Sequence, residues 1–136
     1  MEYRVEAVHQ EGLRFAVAVG DHSLTTDYPL KVDDPGAGPR PLEVLLGSLA
    51  SCAGGALVTL LRRGGQSIRG LRVTARGQRR LEHPTVFTQI ALDFVLSGPL
   101  DPAAAAEALR QAEALCPVWA MLRPGTTITS SFRVET

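Results

Sequence analysis

The longest stretch of this chain without a charged side chain runs from Val44 to Leu61, eighteen of its 136 residues. Leucine and alanine recur there at helical spacing. Pro41 suits the first helical position, because its ring fixes φ and its missing N–H would have been unpaired there. Two arginines and two glycines at 62–65 supply a cationic last turn and a stop. The sequence therefore predicts one helix from Pro41 to Arg63, about 34 Å long at 1.5 Å per residue.

Two environments can accept such a helix. Eighteen uncharged residues reach the lower limit for a membrane span. Glycine, serine and threonine lower the hydrophobicity of this helix, however, and the amphipathic segments elsewhere need an apolar element to pack against. A buried central helix is therefore favoured, and no membrane partner is expected. The small side chains at 50–56 include two glycines, each costing about 1 kcal/mol relative to alanine inside a helix. Close approach of another helix or backbone would offset that cost. The length of the helix and its small-residue strip also predict a second copy of the chain as partner.

The segments around this helix have the periodicity of strands and of shorter helices. Alternating residues between Tyr3 and Tyr28 predict an antiparallel meander, followed by a surface loop over 29–40 of a length that often borders a site. Period-two runs over 71–78 and 88–96 predict a hairpin, and 127–134 a closing strand. Asp101 and the proline after it predict a helix that ends at Leu115. This order predicts a single α+β domain over residues 1–136.

Net charge limits the class of partner. Fourteen basic residues balance fourteen acidic ones, which argues against a protein built to bind nucleic acid or an anionic membrane. The arginines at 72, 76, 79 and 80 are interpreted as a solvated strip on an exposed strand face. A small molecule or a second copy of the chain is the expected partner.

Cys52 and Cys116 are the only thiols of the chain. Nothing near the first residue resembles a signal peptide, so we expect a cytoplasmic protein, in which structural disulfides are rare. His9, His22 and His83 are scattered without ligand spacing, so no metal site is expected. Redox chemistry and inert packing both remain open for the two cysteines.

The local settings of the two thiols differ. Pro117 can start a short helix through about Leu122, which would put Cys116 at its N-cap, where a thiolate is stabilised. Cys52 lies eleven residues into its own helix, away from either end. Its activation would have to come from a neighbour in the fold, such as an arginine from another segment.

Two segments carry a resemblance to a known family. Residues 39–52, which contain Pro41 and end at Cys52, together with the Leu-Cys-Pro-Val run at 115–118, resemble the OsmC/Ohr family of osmotically induced and organic-hydroperoxide-resistance proteins. The similarity covers essentially the whole chain in element order and length. It implies an antiparallel sheet packed around a long central helix, in an intertwined homodimer.

The resemblance also implies a reaction. Cys52 corresponds to the peroxidatic cysteine, which attacks an organic hydroperoxide and becomes a sulfenic acid. Cys116 corresponds to the resolving cysteine, which condenses with it to a disulfide that a cellular dithiol reduces. The implied cycle uses no metal and no bound cofactor, and it belongs to antioxidant and stress-response proteins.

The chain departs from the peroxidatic members at one position. Those members use a glutamate directly after the proline, whereas Leu42 follows Pro41 here and the glutamate is Glu43. The nine-residue step from Glu43 to Cys52 puts their side chains on opposite sides of a helix, so Glu43 is interpreted as a helix cap that bonds back to the N-cap N–H. This departure favours the broader OsmC-like branch.

Those members also use an arginine from an early strand, and Arg14 is the best-placed candidate for stabilising the thiolate. An exposed strand arginine without a catalytic role is an equally good interpretation of Arg14. Two functional hypotheses follow: a thiol peroxidase acting through Cys52 and Cys116, and a non-enzymatic OsmC-like protein that binds a small apolar ligand at the dimer interface.

Overall fold

The computed structural model describes residues 1–136, which form two compact units, Met1–Leu45 and Leu46–Thr136. The N-terminal unit contains three antiparallel strands in the order β1-β2-β3, which confirms the predicted meander. The strands are β1 (Glu6–His9), β2 (Phe15–Val19) and β3 (His22–Thr26).

Residues 29–40 contain no helix or strand, as predicted for the loop. A backbone hydrogen bond from the Asp27 N–H to the Pro39 carbonyl at 3.0 Å ties its two ends together. Gly38 is required in this loop, because a Cβ there would lie 2.1 Å from the carbonyl oxygen of Thr25.

The long helix, α1, spans Pro41–Arg63, with the predicted bounds. The Glu43 carboxylate accepts a hydrogen bond from the Arg40 N–H at 2.9 Å, which confirms its role as a cap. At the other end Gly65 adopts φ +77°, and the Gln66 N–H donates to the Leu61 carbonyl at 2.9 Å. Glycine is favoured at that left-handed position because it has no Cβ.

The C-terminal unit has a second three-stranded sheet, in the order β4-β5-β6, and two shorter helices. β4 and β5 form the predicted antiparallel hairpin, but β6 pairs with β5 in parallel. The helices α2 and α3 carry the chain back across the unit before β6 begins, and a connection of this kind permits parallel pairing. The elements are β4 (Gly70–Arg79), β5 (Phe87–Ser97), α2 (Pro102–Leu115), α3 (Pro117–Leu122) and β6 (Thr127–Glu135).

One face of α1 forms the centre of the core. Four residues spaced four apart are fully or almost fully buried, and they belong to one apolar cluster with residues of β5 and α2. These four are Leu49, Ala53, Leu57 and Leu61.

Gly54 adjoins this row, and a Cβ there would lie 3.2 Å from Val73 Cγ2 of β4. Strand β4 therefore approaches α1 closely at Gly54, as the run of small residues predicts.

The rest of α1 is open. A Cβ at Gly47 or Gly55 would meet nothing within 4 Å, and only 28% of the most apolar window of α1 is buried. By length and composition α1 could also cross a membrane, a property that it shares with core helices of soluble proteins. Its buried row of leucines identifies it as a core helix, with one face left uncovered.

Two glycines of β4 provide a test of the sheet packing. A Cβ at Gly77 would lie 2.6 Å from the Phe87 ring, whereas one at Gly70 would lie 3.7 Å from Ser97 Cβ, an ordinary contact. We expect Gly77→Ala to lower the free energy of unfolding by about 1–3 kcal/mol through overpacking, and Gly70→Ala to leave it unchanged or raise it. Urea denaturation of both variants measures the difference, and equal stabilities would contradict this packing.

Candidate functional site

The fold brings the two thiols together. Cys52 comes from the middle of α1 and Cys116 from the junction of α2 and α3. The Cys116 thiol lies close enough to the Cys52 thiol to interact with it, and both cysteines are free. Residues far apart in the sequence thus form one candidate site within the C-terminal unit.

Backbone geometry fixes the position of Cys116. Its extended conformation, with φ −68° and ψ 115°, ends α2 as the residue before Pro117 should. The same residue is the N-cap of α3, as predicted, and its Sγ accepts a hydrogen bond from the Trp119 N–H at 3.5 Å. The thiol is therefore held between two helices.

Burial determines the acidity of this thiol. Cys116 is 0% exposed, and that burial raises the pKa of its thiol, with the neighbouring Cys52 raising it further. The backbone N–H groups of Trp119 and Val118 act in the opposite direction but do not reverse the shift. Cys116 is at the predicted N-cap position, where backbone N–H groups stabilise a thiolate. Desolvation of the thiolate outweighs that stabilisation, so the pKa of Cys116 is raised.

The two thiols differ in access to solvent. Cys52 is half-buried, on the flank of α1 beside the core row, whereas Cys116 belongs to the core itself. Cys52 therefore retains some exposed surface, whereas Cys116 has none. Further apolar side chains pack against the same core cluster, among them Leu46, Ala56, Val118 and Leu122.

No three His, Cys, Asp or Glu side chains are grouped so as to hold an ion. His9 instead forms a hydrogen bond with the Gly12 carbonyl oxygen at 2.8 Å. The chemistry available at the candidate site is that of two thiols.

Arg14 lies in the N-terminal unit, directly before β2, and is held by two carboxylates. Its Nε lies 3.3 Å from Asp27 Oδ2 and one terminal amino group lies 3.0 Å from Glu11 Oε1. Asp27 is buried and also accepts a hydrogen bond from the Ala37 N–H at 3.0 Å. That N–H, aided by Arg14, keeps the pKa of Asp27 below its usual value.

A family comparison identifies the protein class. The family model for OsmC-like proteins matches residues 33–131. The chain belongs to the OsmC-like family. Protein YhfA of Escherichia coli K12 is 32% identical to it over 98% of both chains.

Solved structures agree with this OsmC-like fold. The OsmC-like protein from Mycoplasma pneumoniae superposes with a TM-score of 0.90 at 18% identity, over 100% of this chain and 99% of the other. An organic hydroperoxide resistance protein from Legionella pneumophila gives a TM-score of 0.77 at 19% identity, over 98% of both. At these identities the likeness establishes the fold alone.

The OsmC-like chain also has an apolar groove of about 500 Å³ between α1 and β4. It follows the small-residue face of the helix, and neither thiol lines it. The small side chains of α1 that line this groove therefore form an open surface that does not include Cys52. The lining residues are Gly47, Ala50, Ser51, Gly54, Gly55, Val58, Leu71 and Val73.

Sequence reasoning identified both thiols but missed Asp27 as the partner of Arg14. The available signal was an aspartate at the entrance to the proline- and glycine-rich loop, a position where a carboxylate often accepts backbone N–H groups.

The lowered pKa of Asp27 predicts a dependence of stability on pH. A carboxyl group with a lower pKa in the folded state stabilises the fold above its unfolded value of 3.8, and that contribution disappears as the pH falls below this value. Asp27→Asn should therefore be less stable than the parent at pH 7, and the difference should shrink between about pH 5 and pH 3.

Urea denaturation across this pH range measures the difference, with the exposed Asp21→Asn as the matched control. A constant difference between parent and Asp27→Asn from pH 7 to pH 3 would show that Asp27 is not held as an ionised group.

Proposed function

We propose that this OsmC-like protein is a cysteine-based thiol peroxidase that reduces organic hydroperoxides. The observation that carries the proposal is the half-buried Cys52 beside the buried Cys116. The proposed functional unit is the whole chain, residues 1–136, as one OsmC-like domain in the cytoplasm.

The proposed cycle needs two thiols and an external reductant. The Cys52 thiolate attacks one peroxide oxygen, the O–O bond breaks, and an alcohol leaves with a proton, so that Cys52 becomes a sulfenic acid. Cys116 then attacks that sulfur, water leaves, and a disulfide forms. A cellular dithiol restores both thiols and is itself oxidised to a disulfide.

Burial supports this assignment of roles. A hydroperoxide from solvent can reach Cys52, whereas Cys116 offers it no surface. The raised pKa of Cys116 makes it a poor first nucleophile, because only the thiolate attacks at a useful rate. A resolving thiol attacks a sulfenic acid that is held beside it, so proximity offsets part of the disadvantage of a raised pKa.

The surroundings of the thiols support an organic substrate. Partly buried apolar side chains pack around the same cluster as Cys52, and Leu115, next to Cys116 in the chain, is 64% exposed. Such surfaces gain free energy by covering a hydrocarbon chain, at roughly 25 cal/mol per Å² buried, which hydrogen peroxide cannot provide.

Arg14 is the proposed source of positive charge for the Cys52 thiolate. Its guanidinium has a defined orientation, since Asp27 and Glu11 hold it through separate nitrogen atoms. Both partners also offset part of its charge. With Leu42 in place of the family glutamate, this arginine would act without that carboxylate.

The variants Cys52→Ser and Cys116→Ser test the proposed roles. Turnover of cumene hydroperoxide with a dithiol should fall at least about 100-fold in Cys52→Ser, because the attacking sulfur is lost. Cys116→Ser should still consume one equivalent of hydroperoxide and retain a sulfenic acid, which dimedone labels. Parent-like turnover in Cys52→Ser would exclude the proposal.

Leu42 favours a second candidate function, a non-enzymatic OsmC-like protein that binds a small apolar ligand at the dimer interface. Under that alternative, an apolar ligand would remain bound through purification and both thiols would react slowly with hydroperoxide. The consumption of one equivalent by Cys116→Ser therefore separates the two functions.

We also propose that the protein is a homodimer. The uncovered small-residue face of α1 and the apolar groove beside it support a second copy as the partner, since small residues allow helix backbones to approach closely. This arrangement would bury the part of α1 that the single chain leaves open.

Gly55→Leu should shift the elution volume from dimer to monomer. The single chain has room for the new side chain, because nothing lies within 4 Å of a Cβ at Gly55, whereas a partner helix would be displaced. Ala106→Leu, on the exposed face of α2, is the matched control and should remain dimeric. A parent protein that elutes as a monomer at micromolar concentration would contradict the dimer.

A further inference from the structure

We propose that the reducing dithiol attacks the sulfur of Cys52 in the oxidised protein, and that Cys116 is the leaving thiolate of this first exchange. This inference rests on the proposed function, because it assumes a Cys52–Cys116 disulfide in the cycle. It specifies which of the two sulfurs the reductant attacks first. The pairing of the two cysteines alone does not determine this, since either sulfur of a disulfide can be attacked.

Access separates the two sulfurs. Thiol–disulfide exchange depends on which sulfur is attacked and on whether the thiolate can reach it. Cys116 is 0% exposed and lies in the core between α2 and α3, whereas Cys52 is only partly buried, on the flank of α1. A thiolate that arrives from solvent meets Cys52 first, with Cys116 behind it.

Leaving-group acidity acts in the opposite direction, so the two effects must be weighed. Burial raises the pKa of Cys116, and a thiol with a higher pKa leaves more slowly. Exchange rates vary by roughly half a power of ten for each pKa unit, so this effect is modest. A sulfur without exposed surface cannot be attacked until the core opens around it. Access therefore decides the site of attack.

The same burial favours completion of the reduction. The first exchange forms a bond between the reductant sulfur and Cys52, breaks the Cys52–Cys116 bond, and releases Cys116 as a thiolate that takes up a proton. Its raised pKa keeps it protonated, which slows its return to Cys52. The second thiolate of the dithiol then attacks the reductant sulfur bound to Cys52. Cys52 leaves as a thiolate and the reductant becomes a disulfide.

The Trp119 N–H gives Cys116 a fixed position throughout this exchange. It donates a hydrogen bond to Sγ in the reduced protein at 3.5 Å, where Cys116 is the N-cap of α3 in an extended backbone conformation. The released thiol therefore stays behind Cys52 and does not turn toward solvent, where a second reductant could reach it.

A trapping experiment on the parent protein tests the order of attack. Diamide forms the Cys52–Cys116 disulfide without any peroxide and is itself reduced to a hydrazine. Brief exposure to glutathione, a monothiol that cannot close the second step, is followed by an acid quench, N-ethylmaleimide labelling and peptide mapping by mass spectrometry. We expect glutathione on Cys52 and N-ethylmaleimide on Cys116 in at least about ten-fold excess over the reverse pattern.

The same exchange in concentrated urea is the control. There both sulfurs are accessible, so the excess should fall to about two-fold or less. Equal labelling in the folded protein, glutathione mainly on Cys116, or no disulfide with diamide would each overturn the proposal. No peroxide is used in this experiment. If glutathione attacks Cys52 selectively but the protein does not turn over hydroperoxide, the proposed function fails while this inference stands.

Discussion

The packing of the buried row of α1 against β5 and α2 is the interaction on which the rest depends. Leu49, Ala53 and Leu57 fix the rotation of α1, and that rotation places the neighbouring Cys52 on the flank of the helix, facing the junction of α2 and α3. The junction is fixed in turn by Pro117, which ends one helix and begins the next, so that Cys116 is held at one point of the core. Neither sulfur depends on a flexible loop for its position.

Burial is the main difference between the two cysteines, because Cys116 is fully buried and Cys52 only partly. Desolvation is the largest cause of the raised pKa of Cys116; Cys52 raises it further, and two backbone N–H groups lower it. One cysteine thereby has no exposed surface, while the other is only partly buried. This division accounts both for the roles we propose for the two cysteines and for the order in which we propose that their disulfide is reduced.

Much of this arrangement could be predicted from the sequence because local rules determine it. Helical periodicity with Pro41 and the closing glycines gave the bounds of α1, and proline stereochemistry gave the N-cap role of Cys116. The third-position carboxylate of Glu43 behaves as its place in the helix predicts. The parallel pairing of β6, the ion pair of Arg14 with Asp27 and the raised pKa of Cys116 depend on residues distant in the sequence. No local sequence pattern predicts which strand edge is free for pairing, which carboxylate is buried or how strongly a thiol is desolvated.

The central claim is that the two sulfurs act as one redox pair toward organic hydroperoxides. The most direct measurement is the mass of the parent protein and of its Cys52–Cys116 peptide pair after one equivalent of cumene hydroperoxide. The account predicts the loss of two hydrogen masses and a single linked peptide joining Cys52 to Cys116, reversed by a dithiol. An unchanged mass, or a stable addition of oxygen to one cysteine with no link to the other, would contradict it.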